Sequence, residues 1–521
     1  MVTVATSILT NDSYDMAVIG TVDFQSNLVA TSTEFSWTAG RPDIVSTNTV
    51  SIFGSGLTYS GSGDSRELSG GTINRISLDK GGDNGAATHG DLVITGTEGL
   101  IAANIQKGSL QGFWNEILKG NDTFLLSGMA QVDIGLGSGL FFGDDYRSSA
   151  DILGFNDGGG NDLMIGADNN FILIGDVYLL EGVDFRNLRL PSTYYGGNDQ
   201  LISAVTDRAI ALFGDADTVL ADGTLHGGND TLDNGKTTSL SSYAAGDAHY
   251  CFSYATVYGG DDTITLGTFG AGAGDVFVML GTGGYIVGGD DVMTTSGHLA
   301  CAGDVQGIDP TVVNGVIIGG DDQITGGNQD DQAAGDVFVR GSTSNTITGG
   351  DDLMIGGGGN DTFWGETAGS LVNVSGGNDT LVGGGGNDQL MGQTGDDILV
   401  GGNDDDTLQG GSGNDVLRGG KGDDRLNGNE DDDRLTGDAG ADLFTFGLHS
   451  GVDRITDFTD TGGADDDRIN LRAYDFTDRA DIVLSNSGDD LIIRLGAGNR
   501  IFVTDYLSTH AATDILNDIL I

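Results

Sequence analysis

From residue 383 to 445 the chain divides without a gap into seven nine-residue units: GGGGNDQLM, GQTGDDILV, GGNDDDTLQ, GGSGNDVLR, GGKGDDRLN, GNEDDDRLT and GDAGADLFT. A degenerate unit, VSGGNDTLV, precedes them, and a separate copy, GGGGNDTFW, begins at Gly356. So short a period leaves room for one turn and one strand per unit. Such units cannot bury an apolar face alone and must stack on one another. The sixth place is always Asp: Asp361, Asp379, Asp388, Asp397, Asp406, Asp415, Asp424, Asp433 and Asp442. The eighth is always Leu or Phe: Phe363, Leu381, Leu390, Leu399, Leu408, Leu417, Leu426, Leu435 and Phe444. A Gly/Asp-rich tail of low complexity would leave that eighth place unrestricted.

Composition agrees with a stack of turns and strands. The 521 residues include 92 Gly and only 3 Pro. Gly without Pro suits repeated turns between hydrogen-bonded strands, because Pro would delete a ladder donor. Of 77 acidic residues, seven are Glu and 70 are Asp. A short carboxylate folded into a tight turn is what oxygen-ligated calcium sites use. The formal charge of -55 makes nucleic acid and anionic membranes poor partners and cations natural ones. Cys251 and Cys301 occupy different places in their repeats and are expected to be two free, buried thiols. No apolar stretch reaches the ~18 residues needed for a membrane span.

The nonapeptide G-G-x-G-x-D-x-Φ-x resembles the repeat of the repeats-in-toxin (RTX) family. That resemblance implies a right-handed parallel β-roll, in which a six-residue turn alternates with a three-residue strand and two units make one coil. It also implies calcium between turns of neighbouring coils on the same side, linking Asp residues eighteen apart, such as Asp388 with Asp406 and Asp397 with Asp415.

Upstream, GG(D/N)D recurs at Gly196, Gly227, Gly259, Gly288, Gly319 and Gly349, in steps of 29 to 32 residues. Its last Asp adds candidate calcium ligands at Asp262, Asp291, Asp322 and Asp352, with plain turn chemistry as the alternative. Half a period out of phase, Gly-Asp precedes an apolar run at Gly214-Asp215, Gly246-Asp247, Gly274-Asp275, Gly303-Asp304 and Gly335-Asp336. The pattern predicts coils of about 30 residues with two strands each, such as Thr263 to Leu266 and Val276 to Met279. Weaker echoes at residues 89–92, 119–122 and 158–162 carry this solenoid back to about residue 81.

The expected organisation is all-β: an N-terminal β cap over 1–80, long-period solenoid over 81–355, nonapeptide β-roll over 356–445, and a C-terminal β cap over 446–521. Caps are needed because an open coil exposes strand edges. The Ser-Gly-Asp-Asp at residues 487–490 reads as a hairpin turn between two apolar runs. The ending Asp518-Ile519-Leu520-Ile521 resembles the C-terminal secretion region of the serralysin-like branch. It implies export by a type I apparatus, in keeping with an N-terminus that lacks the pattern of a cleaved signal.

A search for catalytic groups finds no HExxH, no nucleophile elbow and no Walker-type loop. The six histidines (His89, His226, His249, His298, His449 and His510) are scattered. Asp pairs such as Asp261-Asp262 repeat every coil, which a catalytic dyad does not. Phe277 and Phe338 read as a core ladder. The sequence therefore points to a secreted, calcium-binding, self-associating structural protein that is not an enzyme. An adhesin stalk, or an enzyme or effector with its site in residues 1–80, is the alternative.

Overall fold

A computed structural model describes residues 194–521 apart from short gaps, and of residues 1–193 only backbone strands. Three of those strands, Glu34–Gly40, Thr47–Ser60 and Glu67–Lys80, pair antiparallel in sequence. Strands Val2–Thr6, Tyr14–Asp15, Asp23–Phe24 and Val29–Ala30 also fall in the expected N-terminal cap; the segments between its strands, and the turns echoed at 89–91, 119–121 and 158–162, lie outside the described residues. The chain forms two compact units, Met1–Gly267 and Thr268–Ile521.

In the first unit each long coil carries four short strands, one on each of four parallel sheets. Gln200–Ser203 pairs with Thr231–Asp233, which pairs with Thr263–Leu266. Ile210–Phe213 pairs with Ser242–Ala245, and Ala216–Val219 with Ala248–Cys251. On the fourth sheet Thr193–Tyr195, Thr224–His226 and Thr256–Tyr258 follow one another. Stacking of equivalent positions puts the rings of Tyr195, His226 and Tyr258 in one column, with centroids 4.5 and 4.6 Å apart.

The second unit begins in the same way, with Phe269–Ala273, Val276–Met279, Tyr285–Val287 and Val292–Thr295 in one coil. The expectation of two strands per long coil is thus corrected to four. The added residues are short strands with buried apolar side chains of their own, such as Ile286, Ile317 and Ile347. Two of the four sheets then end, one of them with Asn373–Ser375. The inter-coil step shortens from 31 to 30, 27 and finally 18 residues. From Thr380 onward only two parallel sheets continue, carrying alternate nonapeptides: Thr380–Gly385, Ile398–Asn403, Val416–Lys421 and Arg434–Ala439 on one, Gln389–Thr394, Thr407–Ser412 and Arg425–Glu430 on the other. These strands are six residues long, twice the expected length, because each runs on into the glycines of the next unit.

Every eighth-place Leu or Phe, from Phe363 to Phe444, is fully buried. At ~1.5–3 kcal/mol per side chain removed from water, this single file is the main apolar contribution of the roll. The expected ladder between Phe277 and Phe338 is not continuous. Val276 aligns with Val305 and Val305 with Val337, so Gln306 separates the two rings; Phe338 packs edge-on against Trp364 instead. Cys251 and Cys301 are both buried and free.

The C-terminal end is closed by strands. Val483–Ser487 and Asp490–Gly496 form the predicted hairpin, with Ser487 opposite Asp490. Asn499–Val503 then adds in parallel to Val452–Ile455 on the first sheet, and Ile519–Leu520 to Arg468–Asn470 on the second.

Candidate calcium-binding turns

The three glycines of the nonapeptide have different physical reasons. A β-carbon on the first-place glycine, Gly410 for example, would collide with Oδ2 of the Asp in its own unit, Asp415. In the seven gap-free units and in the copy at Gly356 the second and fourth places are left-handed, as at Gly411 (φ 137°) and Gly413 (φ 122°). Where they are not Gly they are Gln, Asn or Asp, as at Gln393, Asn429, Asp404 and Asp431. The turn therefore wraps its backbone around the sixth-place carboxylate and leaves it no other space.

All of the sequence-predicted site residues are buried: Asp262 in the first unit, and Asp291, Asp322, Asp352, Asp361, Asp379, Asp388, Asp397, Asp406, Asp415, Asp424, Asp433 and Asp442 in the second. In the second unit they form two columns, one per sheet. Along the first, the N–H of Asp291 donates to Asp322 Oδ1 (2.8 Å), Asp322 to Asp352 (2.8 Å), Asp352 to Asp379 (2.9 Å), Asp379 to Asp397 (2.8 Å), and so on through Asp415 to Asp433. Along the second, Asp361 donates to Asp388 (2.8 Å), Asp388 to Asp406 (2.8 Å), Asp406 to Asp424 (2.8 Å) and Asp424 to Asp442 (2.9 Å). The long-period turns and the nonapeptide turns are thus one continuous series. In the first unit Asp230 donates to Asp262 Oδ1 at 2.6 Å in the same manner.

A second ladder runs the opposite way on the outside of the turns. The fifth-place N–H of Asp396 donates back to Asn378 Oδ1 (2.8 Å), Asn414 to Asp396 (2.7 Å) and Asp432 to Asn414 (3.2 Å). Adjacent coils are therefore joined by hydrogen bonds of both directions.

Five ligand-type residues outside the predicted set, Asp199, Asp230, Asp331, Asp453 and Asp467, occupy the same columns. Asp199 donates to Asp230 Oδ1 in the first unit. Asp331 donates to Asp361 at the head of the second column. Beyond the last nonapeptide, Asp453 accepts from Asp433 (3.2 Å) and Asp467 from Asp442 (2.9 Å). Their signal in the sequence is Asp-Arg-Ile at 453–455 and 467–469, which repeats Asp433-Arg434-Leu435 without the glycines.

These turns are built for a cation. Beyond the head of each column, Oδ1 of each Asp is used by the ladder. Oδ2 of Asp322, Asp352, Asp379, Asp388, Asp397, Asp406, Asp415, Asp424, Asp433 and Asp442 is buried with no hydrogen-bond partner. Burial first, and neighbouring carboxylates after it, push the acids up to about 6 at Asp397 and Asp424, about 7 at Asp388 and Asp442, and about 8 at Asp379, Asp406, Asp415 and Asp433. A buried carboxylate oxygen without a counter-charge is costly. A rigid row of hard oxygens spaced by one coil suits calcium, which takes carboxylate and carbonyl ligands in flexible number. Bound there, calcium would supply the missing positive charge, and Asp oxygens from successive coils would hold it.

Among the described residues no helix is long and apolar enough to cross a membrane. The chain matches the RTX calcium-binding nonapeptide repeat family, four copies, over residues 345–367, 374–408 and 409–444. No curated protein matches it. RTX nonapeptide repeats bind calcium at multiple sites, and the matched residues hold the carboxylates of the two columns from Asp352 to Asp442, so residues 345–444 of this chain carry calcium-binding RTX repeats.

Proposed function

We propose that this chain is a secreted structural protein that folds when it meets calcium outside the cell and there associates with copies of itself, without an enzymatic role. The observation that carries the reading is the pair of buried carboxylate columns, whose unpartnered oxygens oppose folding until a cation arrives. In a calcium-poor cytoplasm, repulsion within a chain of charge -55 keeps it loose enough for export. RTX-repeat proteins are generally secreted by type I systems. Self-association is supported by Ile398 and Val416, which pair in register on the outer face of a parallel sheet and are 46% and 39% exposed. Two β-branched side chains in register on an outer sheet face suit contact with another surface.

The test is electron microscopy and circular dichroism of the purified full chain with calcium and with chelator. Lattices or fibres that disappear on chelation, together with loss of β signal, are the expected result. Compact single particles under both conditions would reject assembly, and a β signal indifferent to chelation would reject calcium-coupled folding.

A further inference from the structure

The Gly-Asp signature that falls between the GG(N/D)D turns takes no part in the two Asp columns. In the second unit it supplies Asp275, Asp304, Asp336 and, one coil on, Glu366, all fully buried. They form a third column. The N–H of Asp304 donates to the carbonyl of Asp336 and that of Asp336 to the carbonyl of Glu366, both at 3.1 Å. The N–H of Glu366 donates to the Oε1 of Gln393 at 3.2 Å, and Gln393, Gly411 and Asn429 continue in register. The column is acidic in every long coil of this unit. It becomes amide or glycine where the step contracts to 18 residues.

Each of these acids commits one oxygen to the fold. Asp304 Oδ1 accepts from Gly320 N–H at 3.2 Å, Asp336 Oδ1 from Gly350 N–H at 3.1 Å, and Glu366 Oε1 from Thr394 Oγ1 at 3.0 Å. The other oxygen of Asp304, Asp336 and Glu366 is buried without a hydrogen-bond donor, as is Oδ2 of Asp322, Asp352 and Asp379 in the facing turn column. The two sets converge. The charges acting on Asp304 are those of Asp322, Asp336 and Asp291; those on Asp352 are Asp336, Asp322 and Asp379; no basic group is among them. Glycine makes the space, since a β-carbon on Gly319 would collide with Asp336 and one on Gly303 with Asp322. In the first unit Asp215 of the corresponding column and Asp199 and Asp230 of the turn column bring one ligand oxygen each within 4.8 Å of the others, the one trio of acids among the described residues to come so close. Oxygens on opposite sides of one calcium ion, at 2.3–2.6 Å each, stand about 5 Å apart.

We infer that the long coils hold a second row of calcium sites, inside the coil between the Gly-Asp column and the facing turn column, which the nonapeptide roll lacks. In the second unit one ion takes oxygens from Asp304, Asp322 and Asp336, and the next from Asp336, Asp352 and Glu366. The row ends at Gln393, whose amide brings no charge to balance a divalent ion.

The test counts bound calcium in the full chain by equilibrium dialysis, comparing wild type with the double variant Asp304→Asn, Asp336→Asn and with Asp406→Asn as a nonapeptide control. Asn keeps the acceptors for Gly320 and Gly350. The inference expects the double variant to lose at least two ions while keeping the nonapeptide sites. An unchanged count in the double variant, with ions lost from Asp406→Asn, overturns the inner row and leaves the nonapeptide reading intact. No loss from either variant would reject both. Should the double variant not fold, anomalous diffraction from crystals of the calcium-loaded wild type decides the matter. A peak between Asp304, Asp322 and Asp336 supports the row, and carboxylates in direct contact with no ion between them overturn it.

Discussion

The N–H of Asp388 donates to Oδ1 of Asp406, eighteen residues ahead, at 2.8 Å, and Oδ2 of Asp406 is left buried with no hydrogen-bond partner. One carboxylate thus does two separable jobs, joining coils through one oxygen and offering the other to a cation. Asp406→Asn retains an acceptor for Asp388 and removes the charge, so calcium binding should fall while the calcium-free chain folds at least as well as the wild type, because the buried carboxyl that must otherwise hold a proton is gone. Asp406→Ala removes both, stranding the Asp388 N–H at a further cost of about 1–3 kcal/mol. Calcium counting and thermal melts on both variants check this, and indistinguishable variants would refute the division of labour.

Removal of calcium should be partly offset by acid. Burial raises Asp406, Asp415 and Asp433 to about 8 and Asp397 to about 6, so these acids hold protons more tightly folded than unfolded. That stabilisation is complete below the unfolded carboxyl range, near 4, and is lost as pH rises through about 6 to 8. The chelated chain should therefore gain β signal when the pH falls from 8 to 5.5, and calcium should bind more weakly at the lower pH because protons compete for the same oxygens. Circular dichroism and calcium titration at the two pH values read both effects; a chelated chain whose β signal falls with pH would contradict them.

Adjacent residues of one strand should differ sharply. Leu399 is fully buried in the single-file core and Ile398 is 46% exposed. Leu399→Ala should cost about 2–5 kcal/mol, whereas Ile398→Ala should stay within about 0.5 kcal/mol and weaken self-association instead. Calcium-saturated denaturation and sedimentation distinguish the two.

Gly420 has φ 120°, and a β-carbon there would strike the carbonyl of Gly402 in the preceding coil. Gly488 in the C-terminal hairpin has φ 68° and open space around it. Gly488→Ala should cost about 1 kcal/mol from backbone strain alone. Gly420→Ala adds displacement of a neighbouring coil and should be distinctly worse in the same melts.

The nonapeptide region was legible because each place in the unit answers one physical demand: Leu408 the core, Asp406 the ladder, Gly410 the room for Asp415. The eighteen-residue pairing of Asp388 with Asp406 and of Asp397 with Asp415 follows directly. Asp453 and Asp467 were harder to see, because those coils keep the carboxylate and the following Arg-Ile but build their turns without the glycine pattern. The extra sheets of the long coils escaped for another reason. Strands of three residues, such as Tyr285–Val287, are too short for an alternating pattern to separate them from turns.

The two ladders between coils give the stack a chemical direction. Sixth-place N–H groups reach forward to carboxylates, as from Asp397 to Asp415, while fifth-place N–H groups reach back, as from Asn414 to Asp396. A coil's leading face thus offers what the next coil's trailing face accepts. Two like faces brought together would set carboxylate against carboxylate. Any end-to-end joining of exposed coils is consequently restricted to head-to-tail order, the arrangement that yields open filaments unless the rotation between copies happens to close a ring.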